Sequence, residues 1–319
     1  MKELLQSLEL HPVRIPMRHR FRRIDHREAV LIRGPSGWGE FSPFPDYPPE
    51  VTTRWLASAL EAACSMLPEP GRDTVAVNVT VPAVDPGTAA DIVVTSRSKT
   101  AKVKVAEPGE DPHLEEARVA AVRDALGPDG AIRVDVNAAW DVDTAASRLE
   151  VLGRYGLEYA EQPVATIDEM IQLKERIDVP LAADELVRLS ADPLEVVSAG
   201  AADVLVLKVQ PLGGVGRLVD LATRAGIPVV VSSALETSVG LYSGLLAASL
   251  VTADDVACGL GTAALLDGDA TSAPLLPVEG RVVVQRPEPD RALLKLWRPD
   301  RDRAAEMLRK VRAAAEVLT

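Results

Sequence analysis

The sequence predicts an α/β fold, a (β/α)7β TIM-like barrel with an N-terminal α+β capping domain that the C-terminal tail completes. From about residue 74, short runs rich in β-branched residues alternate with helical stretches. Eight such runs over roughly 190 residues fit a closed barrel better than an open sheet. No GxGxxG motif follows the first run, so nothing favours a dinucleotide-binding sheet. We therefore predict a cap at 1–73, a barrel at 74–265 and a C-terminal segment at 266–319.

The elements of the barrel follow from local signals. In chain order the predicted strands are 74–81, 100–107, 131–137, 157–163, 179–185, 202–210, 227–236 and 256–261. One intervening helix has Asp111 as its N-cap, Pro112 in its first turn and Gly127 beyond its end. The remaining helices are expected to end near Gly156, Leu173, Gly200 and Gly226, with a last one near 240–250.

The first 73 residues lack this alternation. They contain the extended pieces LELHPVRI, REAVLIRG and GWGEFSPF, a proline-rich turn at 43–49 and one helix near 50–66. The tail has a strand-like RVVVQ at 281–285 and a closing helix at 300–318, which we expect to return to the cap.

Composition and charge exclude several function classes. The net charge of −12 argues against binding to nucleic acid or to an anionic membrane, but a small anionic substrate stays compatible with a locally basic site. Cys64 and Cys258 have no zinc-like spacing and predict no disulfide. No apolar run reaches membrane-spanning length and the N-terminus lacks a signal-peptide core, so a cytoplasmic location is expected.

Ionisable residues end consecutive predicted strands, where the active sites of such barrels lie. They are Lys102 and Lys104, Asp135 and Asn137, Glu161, Asp184, and Lys208. From Asp135 to Lys208 the successive members are 26, 23 and 24 residues apart, one βα unit each. Because side chains alternate along a strand, the first two lysines share one face, as do Asp135 and Asn137. We therefore expect these groups side by side around one rim.

Three carboxylates and three lysines on one rim indicate metal-dependent acid–base chemistry. Carboxylates that converge in a dry core repel one another unless a cation lies between them. Oxygen ligands with water in the remaining positions suit Mg²⁺, with Mn²⁺ as a substitute. Taken singly, each residue has a simpler explanation as a helix cap, a solvated rim charge or a turn. Structural salt bridges between the lysines and the carboxylates are the alternative for the whole set.

The motifs at these strand ends resemble those of the enolase superfamily, in the branch with lysines on both faces of the site. They are KVK (102–104), DVN (135–137), EQP (161–163), AADE (182–185) and LKVQPLGG (207–214). The resemblance covers most of the chain, cap included. Such sites use a base and Mg²⁺ to form an ene-diolate from a carboxylate.

The resemblance implies a role for each residue. Asp135, Glu161 and Asp184 would be the metal ligands. Lys104 would be the general base and Lys102 a neighbour that lowers its pKa. The opposing lysine would be Lys208.

Within this branch the sequence most resembles the o-succinylbenzoate synthases. Arg133 with Asp135 and Asn137 matches their RxDxN pattern, and SSALETSVG (232–240) resembles their substrate loop. The cap pieces RIPMRHRFRR (14–23) and FSPFPDY (41–47) also resemble theirs. Dipeptide epimerases usually carry Asp-x-Asp on strand eight, whereas ACGLGT (257–262) has no acid there, which argues against a cationic substrate.

The implied reaction is a carbon–oxygen lyase step of menaquinone biosynthesis. It converts 2-succinyl-6-hydroxy-2,4-cyclohexadiene-1-carboxylate into o-succinylbenzoate by syn loss of water. We expect cap segments 17–23 and 41–47 to close over the site. The expected substrate contacts are Arg133, Ser232, Ser233, Gly259 and Gly261.

Other functions stay open from the sequence. Two opposed lysines also suit an N-succinylamino-acid racemase, and the dipeptide epimerases and cycloisomerases belong to the same branch. A metal-free aldolase would use Lys104 or Lys208 as a Schiff base, but three aligned carboxylates argue against it. A non-catalytic binding barrel would have no need for the complete set of acid, base and ligand residues.

Overall fold

The structure is a computed structural model that describes residues 2–21, 24–45 and 47–318, without the side chains at 2 and 19–21. The strands in the described part are β1 (Glu9–Phe21), β2 (Ile24–Gly34), β3 (Gly37–Phe41), β4 (Thr74–Ala76), β5 (Val79–Val81), β6 (Thr100–Lys104), β7 (Ala131–Asp135), β8 (Leu157–Glu161), β9 (Leu181–Ala183), β10 (Val204–Leu207), β11 (Val229–Val231) and β12 (Arg281–Val283).

The helices in the same described ranges are α1 (Lys2–Gln6), α2 (Pro49–Cys64), α3 (Pro86–Ser96), α4 (Pro112–Leu126), α5 (Val142–Leu152), α6 (Ile167–Lys174), α7 (Glu185–Arg188), α8 (Glu195–Ser198), α9 (Val209–Leu212), α10 (Val215–Arg224), α11 (Ser238–Val251), α12 (Arg291–Leu296) and α13 (Arg301–Val317). None of these described helices combines the length and apolarity that a membrane span requires.

A parallel sheet of seven strands within the described residues organises the molecule, in the order β11-β10-β9-β8-β7-β6-β5. Strands adjacent in the chain are adjacent in space, as right-handed βα units require. The helix after Asp111 is confirmed, because the Asp111 carboxylate accepts the backbone N–H of His113 and Gly127 follows the last turn at φ 73°. The α/β class and the parallel sheet predicted from the alternation are therefore confirmed.

The regular elements between β9 and α10 differ from the expected ones. The single helix expected to end at Gly200 is two short pieces, α7 and α8. The break contains Pro193, which has no N–H to donate, and Asp192, whose side chain accepts the backbone N–H of Leu194. The strand expected to reach residue 210 ends at Leu207, and Lys208 is the N-cap of α9.

The two edges of the parallel sheet approach the same short segment, 257–259. Single parallel bridges join Val77 to Cys258 and Ser232 to Gly259. The Cys258 N–H donates to the Ala76 carbonyl at 2.7 Å, and the Gly259 N–H donates to the Val231 carbonyl at 2.9 Å. The sheet is therefore strongly curled, and its carboxyl ends face a common centre.

Two cores lie on either side of this sheet. Outward-facing residues such as Val103, Val134 and Leu205 belong to the large apolar cluster between strands and helices. Inside the curl, Tyr159 and Val206 belong to a small cluster that fills the floor. The strands of the parallel sheet are thus buried on both faces over most of their length, which explains their nearly continuous apolar sequences.

The N-terminal sheet, in the order β1-β2-β3, is antiparallel and packs against α2. Helix α13 packs on α2, and Trp55, Met307 and Val311 share one apolar cluster. The other strand-like piece of the tail, β12, pairs instead with β4. The C-terminal segment therefore contacts the N-terminal sheet and also forms a separate two-stranded sheet with β4, the strand that precedes the parallel sheet.

Two glutamates, Glu61 and Glu40, cap the N-termini of α10 and α11, the helices that follow β10 and β11. Glu61, in the last turn of α2, accepts the N–H groups of Val215 at 2.6 Å and Gly216 at 3.0 Å. Glu40, on β3, accepts the N–H groups of Thr237 at 3.2 Å and Gly240 at 3.0 Å. Helix N-termini carry free N–H donors and positive partial charge, so these carboxylates fix the N-terminal unit above α10 and α11.

Glu61→Ala is expected to destabilise the protein by about 1 to 2 kcal/mol, because two N–H donors at the start of α10 lose their acceptor. Urea unfolding measures this loss. Glu61→Gln keeps one acceptor oxygen and is expected to lose about half as much. Equal stability of Glu61→Ala and the wild type would contradict the capping role.

Glu40 makes stability depend on pH. Burial raises its pKa from 4.5 to about 7, against the opposing hydrogen bond from Thr237. The folded protein then holds a proton that the unfolded chain has lost, so this contribution falls as pH rises from about 4.5 to 7. Between pH 5 and 8 the wild type should lose up to about 3 kcal/mol relative to Glu40→Gln. Parallel stability curves for the two proteins would contradict the raised pKa.

Candidate active site

The predicted strand-end residues lie in register at the carboxyl edge of the curled sheet. Lys104 is the cross-strand partner of Asp135, and Asp135 is the partner of Glu161. Glu161 in turn is paired with Ala182, and Asp184 follows Ala182 by two residues, directly after the end of β9. The structure therefore brings together all three carboxylates and Lys104 on adjacent strands.

Lys102 and Lys104 share the carboxylate of Asp135. The Lys102 ammonium donates to Asp135 Oδ2 at 2.9 Å and to both carboxylate oxygens of Glu161 at 3.0 Å. The Lys104 ammonium donates to Asp135 Oδ2 at 2.6 Å and to Asn137 Oδ1 at 2.6 Å. Lys102 therefore lies between two carboxylates, and Lys104 lies closer to the mouth.

Asp184 has two cationic partners. Lys208 Nζ donates to Asp184 Oδ2 at 2.5 Å, and Arg188 Nε donates to Asp184 Oδ1 at 3.2 Å. The same guanidinium donates to Glu185 Oε1 at 2.6 Å and to the Tyr47 hydroxyl. Arg188 thus links the carboxylate of Asp184, at the end of β9, to Tyr47 of the N-terminal unit.

Burial strengthens the electrostatic interactions within this cluster. Asp135, Glu161 and Asp184 are 2%, 1% and 0% exposed. Burial, together with the charge of Asp135, raises the pKa of Glu161 to about 7, although Lys102 opposes the shift. Burial also acts to lower the pKa of Lys102, but the charges of Asp135 and Glu161 outweigh it and raise that pKa above its ordinary value. Each buried charge of the cluster therefore needs an opposite charge beside it.

Strained backbone fixes the strand ends. Asn137 and Gln162 have φ values of 52° and 42°, which non-glycine residues seldom adopt. The Gln162 side chain accepts the N–H groups of Asp184 at 3.0 Å and Leu186 at 3.2 Å, and it donates to the Val164 carbonyl at 2.8 Å. Gln162 therefore holds the turn after β9 in place and orients Asp184 without touching its carboxylate.

A narrow cavity of about 30 Å³ opens above the cluster. Its described lining residues are Phe44, Trp55, Thr80, Lys102, Lys104, Asp135, Arg188, Lys208, Pro211, Ser232, Ser233, Ala234, Leu235, Gly259 and Thr262. This volume holds a water molecule or two, so a larger ligand requires movement of the cap side chains over it.

Three of the expected substrate contacts lie in the cavity wall. Ser232 and Gly259 are in contact, since a Cβ on Gly259 would meet the Ser232 hydroxyl at 2.3 Å. The Ser233 hydroxyl bonds the Thr262 hydroxyl at 2.5 Å and accepts the Leu235 N–H at 3.0 Å. Gly261 lies beside the Asn78 carbonyl, outside the lining.

Arg133 lies deeper in the curl than the cavity. Its guanidinium donates to Glu158 Oε2 and to the Ala257 carbonyl, both at 2.6 Å, and lies 4.8 Å from the centre of the Tyr159 ring. It is not among the described residues that line the cavity. In this arrangement Arg133 fills the floor below the charged cluster.

The two segments expected to close over the site, 17–23 and 41–47, differ in how closely they approach the cavity. Phe44 lines the cavity, and Tyr47 reaches it through Arg188. In the segment 17–23, Met17 forms a bridge with Leu266 and Arg18 donates to the Leu266 carbonyl at 3.0 Å. The side chains at 19–23 lie outside the described part of the chain.

Three residues that shape the site were missed by sequence reasoning. Arg188 follows Asp184 by four residues, one turn of α7, and this spacing was a usable signal. Thr262 had no comparable signal. Arg27 is 208 residues from its partner Leu235, a separation at which a single sequence predicts no contact.

The donor set suits a hard divalent cation. Among the residues that the structure describes, no three His, Cys, Asp or Glu side chains meet the geometry of a metal centre. The reason is visible in the contacts, because Lys102 lies between Asp135 and Glu161 while Lys208 and Arg188 hold Asp184. The carboxylate oxygens are nevertheless adjacent, buried and in register, and a cation can compete with the ammonium groups for them.

Comparison with known proteins identifies the family. A model of the enolase C-terminal domain-like family matches residues 87–289, and one of the enolase N-terminal domain-like family matches 13–63. Muconate lactonizing enzyme from Pseudomonas fluorescens has the same fold, with a TM-score of 0.77 and 21% identity over 92% of this chain and 98% of that chain.

Relatives with much higher identity are o-succinylbenzoate synthases. The o-succinylbenzoate synthase of Thermobifida fusca (strain YX) is 56% identical over 85% of this chain and 86% of its own length. That of Mycobacterium marinum is 48% identical over 97% of this chain and 94% of its own length. These matches confirm the resemblance inferred from the strand-end motifs. The chain belongs to the o-succinylbenzoate synthase family of the enolase superfamily.

Proposed function

We propose that the protein is an o-succinylbenzoate synthase that dehydrates 2-succinyl-6-hydroxy-2,4-cyclohexadiene-1-carboxylate in menaquinone biosynthesis. The observation that carries this proposal is the buried cluster of three carboxylates and three lysines at adjacent strand ends. The high identity to relatives of that name supports the choice among possible substrates.

We also propose the finer architecture. The bridges from 257–259 to both sheet edges support a closed (β/α)7β barrel with a short eighth strand. The cap would comprise 1–73, the barrel 74–265 and the C-terminal segment 266–319. The packing of α13 on α2 supports the return of that segment to the cap.

Asp135, Glu161 and Asp184 would hold Mg²⁺, and Mn²⁺ would substitute for it. When bound, the cation supplies positive charge to the substrate carboxylate as it becomes a dianionic ene-diolate. The hard oxygen donors and their burial support this assignment.

Lys104 is the proposed base. Its ammonium bonds Asp135 and Asn137 at the cavity wall, which holds Nζ toward the space above the cluster. As a neutral amine it takes the proton from the ring carbon that bears the carboxylate, and the C–H electron pair moves into the ene-diolate. Collapse of the ene-diolate expels hydroxide from the neighbouring ring carbon. Lys104 returns its proton to that hydroxide, so water leaves from the same face.

The other two lysines supply charge. Lys208 would face the opposite side of the ring, where its ammonium stabilises the negative charge of the ene-diolate. Lys102 would disfavour a second positive charge at Lys104 and so lower the pKa of that base. Lys208 lines the same cavity as Lys104, which supports opposed positions around one substrate.

The succinyl carboxylate would bind at the wall formed by Ser232, Ser233 and Gly259, with Gly261 behind it. The hydroxyl groups of Ser232 and Ser233 can donate hydrogen bonds to that carboxylate. Arg133 would act from below, through the floor, rather than by direct contact.

Loss of the cyclohexadiene absorbance tests the function directly. The wild type with Mg²⁺ should turn over rapidly, whereas Lys104→Ala and chelator-treated enzyme should lose at least about 1,000-fold, since the base and the charge stabilisation are each worth several powers of ten. Lys99→Ala, on an exposed lysine near the start of β6, should match the wild type.

Other outcomes of the same assay contradict the proposal. Absence of turnover by the wild type with Mg²⁺ would overturn the synthase function, and exchange of the α-proton of N-succinylamino acids in D₂O would then identify a racemase. Trapping of the substrate by borohydride would indicate a Schiff base instead.

Lys102→Met tests the charge balance of the cluster. Without the ammonium, two buried carboxylates face each other, so the metal-free variant should lose about 3 kcal/mol or more in urea unfolding. Mg²⁺ should stabilise this variant more than the wild type, where the cation must displace Lys102. Lys99→Met is the matched control and should behave as the wild type. A variant as stable as the wild type without Mg²⁺ would contradict the proposed balance.

A further inference from the structure

The loop after β11 forms one wall of the cavity and is held in an unusual shape. Ser232 to Leu235 all line the cavity, and Leu235 has φ 65°. A leucine in the left-handed region costs free energy of about 1 kcal/mol or more, so neighbouring contacts must maintain it. The loop holds its own N–H groups through Ser233 and Glu236, and the contacts to its carbonyl groups come from β2.

Arg27, on β2, supplies those contacts. Its Nε donates to the Leu235 carbonyl at 2.8 Å, and its Nη2 donates to the Ala234 carbonyl at 2.9 Å and to the Ser42 carbonyl. The guanidinium also lies 4.8 Å from the centre of the Phe44 ring, and Phe44 itself lines the cavity. One side chain thus fixes two successive carbonyls of the loop and two residues of the facing cap segment.

The surroundings make this arrangement specific to a guanidinium. Arg27 is only 1% exposed, so its donors cannot turn to water instead. The buried carboxylates of Glu40 and Glu236 both feel its charge, and Glu236 accepts the Ala234 N–H at 2.7 Å. A planar fork of donors is therefore matched in geometry to the carbonyl acceptors at this position.

We propose that Arg27 is a positioning residue for the reaction. It does not line the active-site cavity, and it acts by holding 234–235 in the shape that forms the wall for the succinyl carboxylate. The identity of the substrate in this inference rests on the proposed function. The effect of Arg27 on the shape of the loop does not depend on that function. A residue of β2, 207 and 208 positions from Ala234 and Leu235 in the sequence, thereby sets substrate affinity.

Arg27→Met should raise KM far more than it lowers kcat, with kcat/KM reduced on the order of 100-fold, because the wall shifts while the lysines stay in place. Arg27→Lys keeps the charge without the fork and should fall between. Arg33→Met is the matched control, since Arg33 lies on the same strand but is exposed and pairs with Glu9 at 3.6 Å. An equal rise in KM for Arg33→Met would overturn the proposal.

A second substitution separates positioning from general stability. Leu235→Gly removes the cost of positive φ, so adding it to Arg27→Met should restore part of KM. Adding Leu235→Ala removes the same side chain without relieving the backbone and should restore nothing. If glycine and alanine behave alike, the loop shape is not what Arg27 controls.

Hydrogen exchange of the amides at 232–237 gives a readout that needs no substrate. Arg27→Met should exchange faster there than the wild type, while Arg33→Met should not. If the wild type is inactive but Arg27→Met still exchanges faster at 232–237, the synthase function is wrong and the role of Arg27 in holding the loop stands. Unchanged exchange and unchanged KM in Arg27→Met would overturn the inference.

Discussion

The balance of buried charge at the carboxyl ends of β6 to β10 is the constraint on which the rest of the molecule depends. Asp135, Glu161 and Asp184 are buried in adjacent strands, where each unpaired carboxylate would cost several kcal/mol. Lysines on the flanking strands neutralise them at hydrogen-bonding distance. As a purely structural feature such a cluster is unfavourable, because well-packed apolar residues of similar volume would give equal or greater stability. Chemistry that needs carboxylates and ammonium groups side by side, out of water, accounts for the presence of this cluster.

The cap is attached at the places where it can influence that cluster. Glu61 and Glu40 cap the helices that follow the sixth and seventh strands of the proposed barrel, and Arg27 holds the loop between β11 and α11. Tyr47 contacts the carboxylate of Asp184, at the end of β9, through Arg188. In each of these links a polar group of the N-terminal unit bonds a residue that follows a strand of the parallel sheet. Movement of the cap and the shape of the cavity wall are therefore physically coupled.

Much of this could be predicted from the sequence, for identifiable reasons. Strands buried on both faces have a local signature, and Lys104, Asp135 and Glu161 stand one βα unit apart, so their register follows from the fold. The expectation that 232–240 forms a substrate loop came only from resemblance. What could not be predicted depends on contacts distant in the chain or on local exceptions. The deep position of Arg133 depends on Glu158 and Ala257, and the loss of a continuous helix before Gly200 depends on a few turn residues.

The central claim is that the three carboxylates exchange their lysine partners for a divalent cation. Anomalous diffraction from crystals soaked in Mn²⁺ measures this directly. We expect one strong peak within about 2.0 to 2.5 Å of oxygens from Asp135, Glu161 and Asp184, with the Lys102 ammonium moved away from Glu161. Absence of a peak there, with Lys102 still bonded to Asp135 and Glu161, would mean that the cluster is a structural salt-bridge network and would contradict the account.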